Sequence, residues 1–113
     1  MEIVDSPISF QRLTAMAEAR FGDLVKAVVD VERGVMAVDA ELHSDQEALL
    51  LETGSVQGDL WGINLYPGLV DEDFIEFDAI INLRPSQGNR SRGVQDPQIR
   101  ARIVEIVDLL VAR

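Results

Sequence analysis

Apolar residues recur at three- and four-residue intervals in two segments of the chain, a pattern typical of helices that cover a core. The first segment follows Ser9, a common N-cap residue, and ends at Gly22. The second follows Asp96 and Pro97, which favour an N-cap and a first helical position, and its apolar face continues to the C-terminus. The sequence therefore predicts one helix near each end of the chain.

Between these helices, apolar and polar residues alternate in a way that favours strands. Two β-rich runs, residues 25–31 and 35–40, are separated by a short loop that ends in Gly34. This spacing predicts a β-hairpin. The runs at residues 61–66 and 74–84, the second being the longest of the four, predict another antiparallel pair.

Residues 44–54 fit two structures. Ser44 and Glu47 have the spacing of a capping box, and Gly54 would end a helix. The three consecutive leucines at 49–51 would suit a buried strand equally well. We expect a short helix.

The order helix, hairpin, short helix, hairpin, helix predicts an α+β two-layer sandwich in one domain, residues 1–113. Its sheet is expected to be mainly antiparallel and four-stranded, with about three helices. If all helices cover one face, the other face is wet or buried in an oligomer. Apolar residues expected on that face favour a homodimer: Leu24, Val28, Met36, Val38 and Ile80.

The composition excludes several classes of protein. A formal net charge of −10 disfavours broad binding to nucleic acids or anionic membranes. The absence of cysteine excludes disulfides, thiolate metal sites and thiol nucleophiles. The first residues are acidic, unlike a signal peptide, and no apolar run approaches the ~20 residues of a membrane span. We expect a soluble, cytoplasmic protein.

The charge is unevenly distributed along the chain. Residues 1–83 hold 17 acidic and 4 basic side chains, whereas residues 84–113 hold 3 and 6. The basic part contains RPSQGNRSRGV, residues 84–94, which we call the arginine loop. Arginine forks and the helix N-terminus that follows both favour carboxylate or phosphate groups. The predicted binding residues are Arg84, Ser86, Gln87, Asn89, Arg90, Ser91 and Arg92.

An alternative explanation is that these arginines pair with the acidic body of the same chain. The arginine loop matches neither the Walker A pattern nor the GxGxxG of a dinucleotide site. The sequence therefore leaves the cofactor unassigned.

The only histidine, His43, lies in an acidic stretch, and imidazole with carboxylates can hold a divalent metal. The chain has no HExxH pair and no second histidine for a facial triad. The acidic run at residues 71–73 lacks the spacing of a calcium loop. We predict no metal site. The acidic neighbours of His43 are Asp39, Glu41, Asp45 and Glu47.

A further polar group falls on matching faces of the last two predicted strands. Carboxylates beside an arginine can form an acid–base site, because close charges shift pKa values. They can equally form cross-strand pairs on a wet sheet face, which is the interpretation we favour. The group consists of Asn64, Tyr66, Glu76, Asp78, Asn82 and Arg84.

These observations leave three functions open. We favour a binding or regulatory module that holds an anionic small molecule or an acidic protein segment through the arginine loop. One alternative is a homo-oligomeric structural or interaction protein. The other is a hydrolase acting on a phosphorylated or acidic substrate, with His43 or a carboxylate as general base. That activity requires His43 to lie near the arginine loop, and catalytic residues stay unassigned.

Two segments, AELHSDQEALLLETGSVQGDLWGINLYPG and IEFDAIINLRPSQGNRSRGVQDPQIR, resemble a small family of uncharacterised bacterial and archaeal proteins classed as a domain of unknown function. The similarity extends from the predicted hairpin at KAVVDVERGVMAV to the final helix. The resemblance implies a stand-alone prokaryotic domain. It implies no activity, cofactor or catalytic residue.

Overall fold

Seven strands and three α-helices follow one another in a computed structural model that describes all residues 1–113. They are β1 (Glu2–Val4), β2 (Ile8–Ser9), α1 (Phe10–Arg20), β3 (Val25–Asp30), β4 (Val35–Val38), α2 (His43–Glu52), β5 (Leu60–Leu65), β6 (Ile75–Glu76), α3 (Pro97–Leu110) and β7 (Val111–Ala112). Five strands form an antiparallel sheet in the order β1-β4-β3-β5-β6. A short parallel pair, β2 with β7, joins the two ends of the chain.

The two long helices begin where their capping signals indicate. The Ser9 side chain accepts a hydrogen bond from the backbone N–H of Arg12, 3.1 Å away. Asp96 does the same for the backbone N–H of Gln98 at 2.8 Å, with Pro97 in the first helical position. After α1, Gly22 adopts a positive φ of 95°, which glycine tolerates without strain. The predicted helices at both ends are therefore confirmed.

The predicted hairpin is also confirmed, as β3 and β4. Its turn is held by Asp30, which is fully buried. One carboxylate oxygen of Asp30 accepts hydrogen bonds from the backbone N–H groups of Glu32 and Arg33, each at 2.9 Å. The other accepts from the Ser55 hydroxyl at 2.6 Å. The burial of this carboxylate is offset by a full set of donors.

The short helix α2 is confirmed, but its predicted capping box is wrong. The helix begins at His43, so Leu42 occupies the N-cap position and no side chain caps it. Ser44 lies inside the first turn instead of preceding it. Glu47, the expected capping partner, lies 3.5 Å from the guanidinium of Arg84. An ion pair within the fold thus replaces the local capping interaction.

The predicted long strand at residues 74–84 is wrong beyond Glu76, where β6 ends. From there the chain leaves the sheet edge and crosses above Gly62 of β5. A Cβ at Gly62 would lie 2.5 Å from the Cβ of Ala79, so only glycine permits this crossing. The Asn82 side chain then accepts from the N–H of Gly62 at 2.8 Å and donates to its carbonyl at 2.9 Å. One side chain therefore makes the hydrogen bonds that a continued strand would have made.

The α+β class is confirmed, with a sheet that has one more strand than predicted because β1 pairs with β4. A large core of 20 buried residues lies between the sheet and helices α1 and α3. A smaller core of 4 buried residues lies on the opposite face, where Leu50 of α2 packs. Helices therefore cover both faces of the sheet, not one.

The prediction that one face of the sheet is uncovered by helices is wrong, because α2 packs on that face. Val28 is fully buried in the smaller core beneath α2, whereas Met36 and Val38 belong to the large core on the other face. Leu24 is half-buried, and Ile80 is exposed at 69%. The homodimer stays a prediction, without the apolar sheet face that first suggested it. None of the helices combines the length and apolar character needed to cross a membrane.

Candidate functional site: a cleft beside the second helix

The first predicted binding residue, Arg84, is buried in the fold. Its Nε donates to the carbonyl of Ile81 at 3.0 Å, and Nη2 donates to the carbonyl of Leu60. The guanidinium also stacks over the Trp61 ring, 4.8 Å from its centroid, and lies near Glu47. Arg84 therefore donates a hydrogen bond to the backbone of β5 at the edge that β6 leaves free. Its contact with Glu47 is the pairing within the chain that the sequence allowed as an alternative to ligand binding.

Asn89 is buried as well and organises the arginine loop from inside. Its Nδ2 donates to the carbonyls of Asn82 at 2.6 Å and Gly93 at 2.8 Å. Its Oδ1 accepts from the backbone N–H of Gln95 at 2.9 Å. The half-buried Ser91 hydroxyl accepts from the N–H of Gly93 at 3.1 Å. These two predicted binding residues thus hold the loop in shape.

The remaining predicted binding residues are exposed but do not form one surface. Gln87 donates to the carbonyl of Gly58 at 3.3 Å. The side chains of Ser86 and Arg90 have no partner within the chain. Arg92 is different, because its Nε lies 2.8 Å from Oδ1 of Asp78 at the rim of a cleft. The start of α3 is already occupied by Asp96.

This cleft, which we call the α2 cleft, has a volume of about 470 Å³ and lies between the first turn of α2, strands β3 and β5, and residues 76–81. It brings together polar side chains that are far apart in the sequence. The polar lining includes Lys26, His43, Asn64, Tyr66, Glu76, Asp78 and Arg92. His43, four of the six polar strand residues and one arginine, which the sequence presented as separate groups, therefore share one cavity, whereas Asn82 and Arg84 lie outside it. Lys26 was not predicted, and its only signal was its polar position in β3.

His43 is fixed against β5 by one edge of its ring. Nε2 lies 2.8 Å from the carbonyl oxygen of Ile63, and Cδ2 lies next to Gly62. A carbonyl oxygen only accepts, so Nε2 carries the proton and Nδ1 carries the lone pair in the neutral ring. The ring position opposite the Nε2–Cδ2 edge is Nδ1, which makes no hydrogen bond within the chain and faces the cleft.

The environment of His43 favours this neutral form. Burial is the largest effect and lowers the pKa of the imidazole below its ordinary value of 6.5. The hydrogen bond to Ile63 opposes this shift, the charge of Lys26 reinforces it, and Asp78 and Asn64 oppose it more weakly. At neutral pH, His43 therefore presents a hydrogen-bond acceptor to the cleft.

Glu76 is held on one oxygen. Its Oε1 accepts from Asn64 Nδ2 at 2.8 Å and from the Tyr66 hydroxyl at 3.2 Å. Asn64 Nδ2 also donates to the backbone carbonyl of Asp78 at 3.2 Å. Desolvation, followed by the charge of Glu76, raises the pKa of Tyr66, so its hydroxyl stays a donor. The second oxygen of Glu76 has no partner within the chain.

One side of the α2 cleft is apolar. Leu42 is exposed at 53% and Ile80 at 69%, and Leu24 completes this side. A few polar groups beside apolar surface are typical of sites for small molecules. The α2 cleft has this character.

A divalent metal has no ready site in this arrangement. No three His, Asp or Glu side chains are grouped closely enough to hold one. Two of the four acidic neighbours of His43 in the sequence are held by arginines elsewhere in the fold. Asp39 is paired with Arg20 at 2.9 Å, and Glu47 is close to Arg84.

The fold and its cleft define a small α+β domain with a mixed-charge, partly apolar cavity beside α2. Residues 2–110 match the family described as "Protein of unknown function (DUF5674)", and the chain belongs to that family. The resemblance to a domain of unknown function is thereby confirmed. No curated protein and no solved structure matches the chain significantly.

Proposed function

We propose that the α2 cleft binds a small molecule through a carboxylate or phosphate group, with Arg92 as the ionic partner of that group. The proposal keeps the anionic ligand expected from the sequence and narrows the site from the whole arginine loop to this cleft. The observation that carries it is the position of Arg92 at the rim of a cavity lined by polar side chains from several parts of the chain. A concave site of this size favours a small molecule over a protein segment.

The guanidinium of Arg92 has N–H donors that make no hydrogen bond within the chain. Its Nε contacts Asp78, while its two terminal nitrogens have no partner within the chain. The side chains of Arg92 and Asp78 are 56% and 44% exposed, so their ion pair contributes little stability and can open at small cost. Terminal guanidinium nitrogens bind carboxylate or phosphate oxygens in pairs. Arg92 can therefore take up an anionic group without disrupting the core.

The test is a titration with sodium phosphate, sulfate and acetate, followed by amide chemical shifts in NMR spectra. We expect shifts around the α2 cleft that saturate. Arg92→Ala should weaken binding about 10- to 100-fold, the range for one charged hydrogen-bonding partner. Arg90→Ala is the matched control, because Arg90 lies in the same loop with the same charge and no partner. It should change affinity by less than about twofold, as an exposed surface charge does.

Two outcomes would contradict this proposal. Equal losses in the Arg90 and Arg92 variants would indicate diffuse attraction to the whole loop. Shifts that avoid the cleft, or no saturable shifts with any of the three anions, would exclude the site. A docking site for an acidic protein segment would instead lose affinity in both variants when an acidic peptide is the probe.

A second function, hydrolysis of a phosphorylated or acidic substrate, is supported by one observation. His43 and Arg92 line the same cleft, as this activity requires. The lone pair on Nδ1 could take a proton from an attacking water while Arg92 holds the anionic group. Incubation with p-nitrophenyl phosphate and p-nitrophenyl acetate tests this function. Product formation that His43→Gln abolishes would support it, whereas binding without product would favour a binding module.

A further inference from the structure

We infer that the ligand of the α2 cleft is a zwitterion with an apolar side chain, as in a free aliphatic amino acid. Its carboxylate would pair with Arg92, and its ammonium group would lie against Glu76, Asp78 and His43. This inference rests on the proposed function, because it uses the same cleft and the same role for Arg92. Beyond the anionic group of the proposed function, it specifies a positive charge and an apolar side chain on the ligand.

The charges of the cleft balance. Lys26 and Arg92 are positive, and Glu76 and Asp78 are negative. A purely anionic ligand would add uncompensated charge to a chain whose net charge is already −10. A zwitterion adds none. It can exchange the exposed contact between Arg92 and Asp78 for two contacts of its own, one at each end.

The cleft also offers four side-chain acceptors that have no partner within the chain. They are the second oxygen of Glu76, the second oxygen of Asp78, Nδ1 of His43 and Oδ1 of Asn64. An ammonium group has three N–H donors and no acceptor. These open acceptors therefore suit an ammonium group, which can satisfy three of them, better than a hydroxyl, which brings only one donor.

His43 suits this role only in its neutral form, since a protonated imidazole would repel an ammonium group. The charged groups around the ring come from several elements. Lys26 on β3 disfavours protonation and Asp78 favours it. Glu76 and Arg92 line the same cleft with opposite charges, and Glu47 of α2 is turned toward Arg84. Burial remains the largest effect and keeps the ring neutral near pH 7.

The apolar side of the cleft accounts for the rest of the ligand. Leu24, Leu42 and Ile80 lie on one side of the cavity, and the last two are largely exposed. Covering such side chains with an aliphatic group removes apolar surface from water. A branched aliphatic side chain is therefore expected to bind better than a polar one.

The experiment compares three molecules that carry the same branched aliphatic group. L-Leucine carries both charges, 4-methylpentanoate lacks the ammonium group, and 3-methylbutylamine lacks the carboxylate. Titration of the intact chain, followed by NMR at pH 7.5, should show leucine binding at least about tenfold more tightly than either of the others. The cleft amides should shift in each case.

The failures of the two proposals are distinguishable. If 4-methylpentanoate binds as tightly as leucine, or binds when leucine does not, the zwitterion inference is overturned while anion binding stands. If 3-methylbutylamine binds as tightly as leucine, the carboxylate contributes nothing and the role of Arg92 fails. If none of the three binds while phosphate does, an amino acid ligand is excluded and the phosphate site remains.

Variants sharpen the comparison. Glu76→Gln keeps the length of the side chain and removes its charge. It should therefore lower the affinity for leucine about tenfold and change the affinity for 4-methylpentanoate by less than about twofold. Arg92→Ala should weaken both. Equal effects of Glu76→Gln on the two ligands would overturn the inference.

Discussion

Two side chains, Asn82 and Arg84, complete the hydrogen bonding along the free edge of β5. Asn82 pairs with both backbone groups of Gly62, and Arg84 donates to the carbonyl of Leu60. A buried backbone group without a partner costs about 1–3 kcal/mol, so this edge needs donors and acceptors. The polar character of residues 82–89 reflects that need. Arg92, which lies beyond it, is the arginine of the loop that lines the α2 cleft.

His43 makes stability depend on pH. Its pKa in the folded chain is lowered from 6.5, mainly by burial, so the unfolded chain binds the proton more readily. The contribution of His43 to the free energy of unfolding is fully present above about pH 7. It is lost as pH falls below 6.5 toward the lower pKa of the folded chain. The loss is at most about 1.4 kcal/mol per pH unit.

We therefore expect the free energy of unfolding of the wild type to fall relative to that of His43→Gln as the pH is lowered. Urea unfolding of both proteins between pH 8 and pH 5 measures this difference. Because the chain has one histidine, the titrating carboxylates cancel and the remaining slope belongs to His43. A difference that is constant, or that grows as pH falls, would contradict a lowered pKa.

At the scale of elements, β5 connects the sheet to the cleft. It pairs with β3 over six positions and with β6 over two. Where β6 ends, Gly62 lets residues 79–81 cross the sheet close to His43. The crossing brings Asp78, Ala79 and Ile80 to the cavity that α2 closes, next to Glu76 at the end of β6. The missing part of the long strand is thus the part that builds the site.

Gly62→Ala should destabilise the fold, because the new methyl group would lie 2.5 Å from the Cβ of Ala79 and 3.2 Å from Cδ2 of His43. Overpacking of this kind costs about 1–3 kcal/mol, measurable by urea unfolding. Gly68→Ala is the control, because nothing lies within 4 Å of a Cβ there and its φ is not positive. The control should change stability by less than about 1 kcal/mol. Equal effects at both positions would refute the close crossing.

At the scale of the whole molecule, negative charge dominates. Twenty acidic residues face ten basic ones, and most are at the surface. Several exposed ion pairs, such as Arg20 with Asp39, offset only part of the repulsion. The arginine loop lies against this acidic body through Arg84 and Arg92. The basic part of the sequence therefore offsets a small part of the negative charge of the acidic body.

Added salt should consequently stabilise the chain. Raising NaCl from 10 mM to 150 mM shortens the screening length from about 30 Å to about 8 Å and weakens repulsion between distant carboxylates. We expect the free energy of unfolding to rise by an amount on the order of 1 kcal/mol, since the individual surface interactions are each of that size or less. Urea unfolding at both salt concentrations measures the change. A decrease would mean that the ion pairs outweigh the repulsion.

The sequence by itself determined the elements whose signals are local. The caps of α1 and α3, the hairpin of β3 and β4, and the helical periodicity each depend on residues close in the chain, and together they specify the α+β class. It did not determine the capping of α2, because the start of a short helix depends on where Glu47 finds a partner. Nor did it indicate β1, whose three residues are too few to show a pattern.

Only the tertiary structure decided what the polar residues do. Alternation at residues 74–84 favours a strand, but it cannot tell a partner strand from a crossing over Gly62, after which Asn82 and Arg84 are buried and Leu83 is exposed. The sequence does not distinguish an arginine that donates hydrogen bonds to a strand edge, as Arg84 does, from one that lines a cleft, as Arg92 does. The α2 cleft joins residues 26 to 92, and their proximity depends on long-range packing that no local pattern encodes.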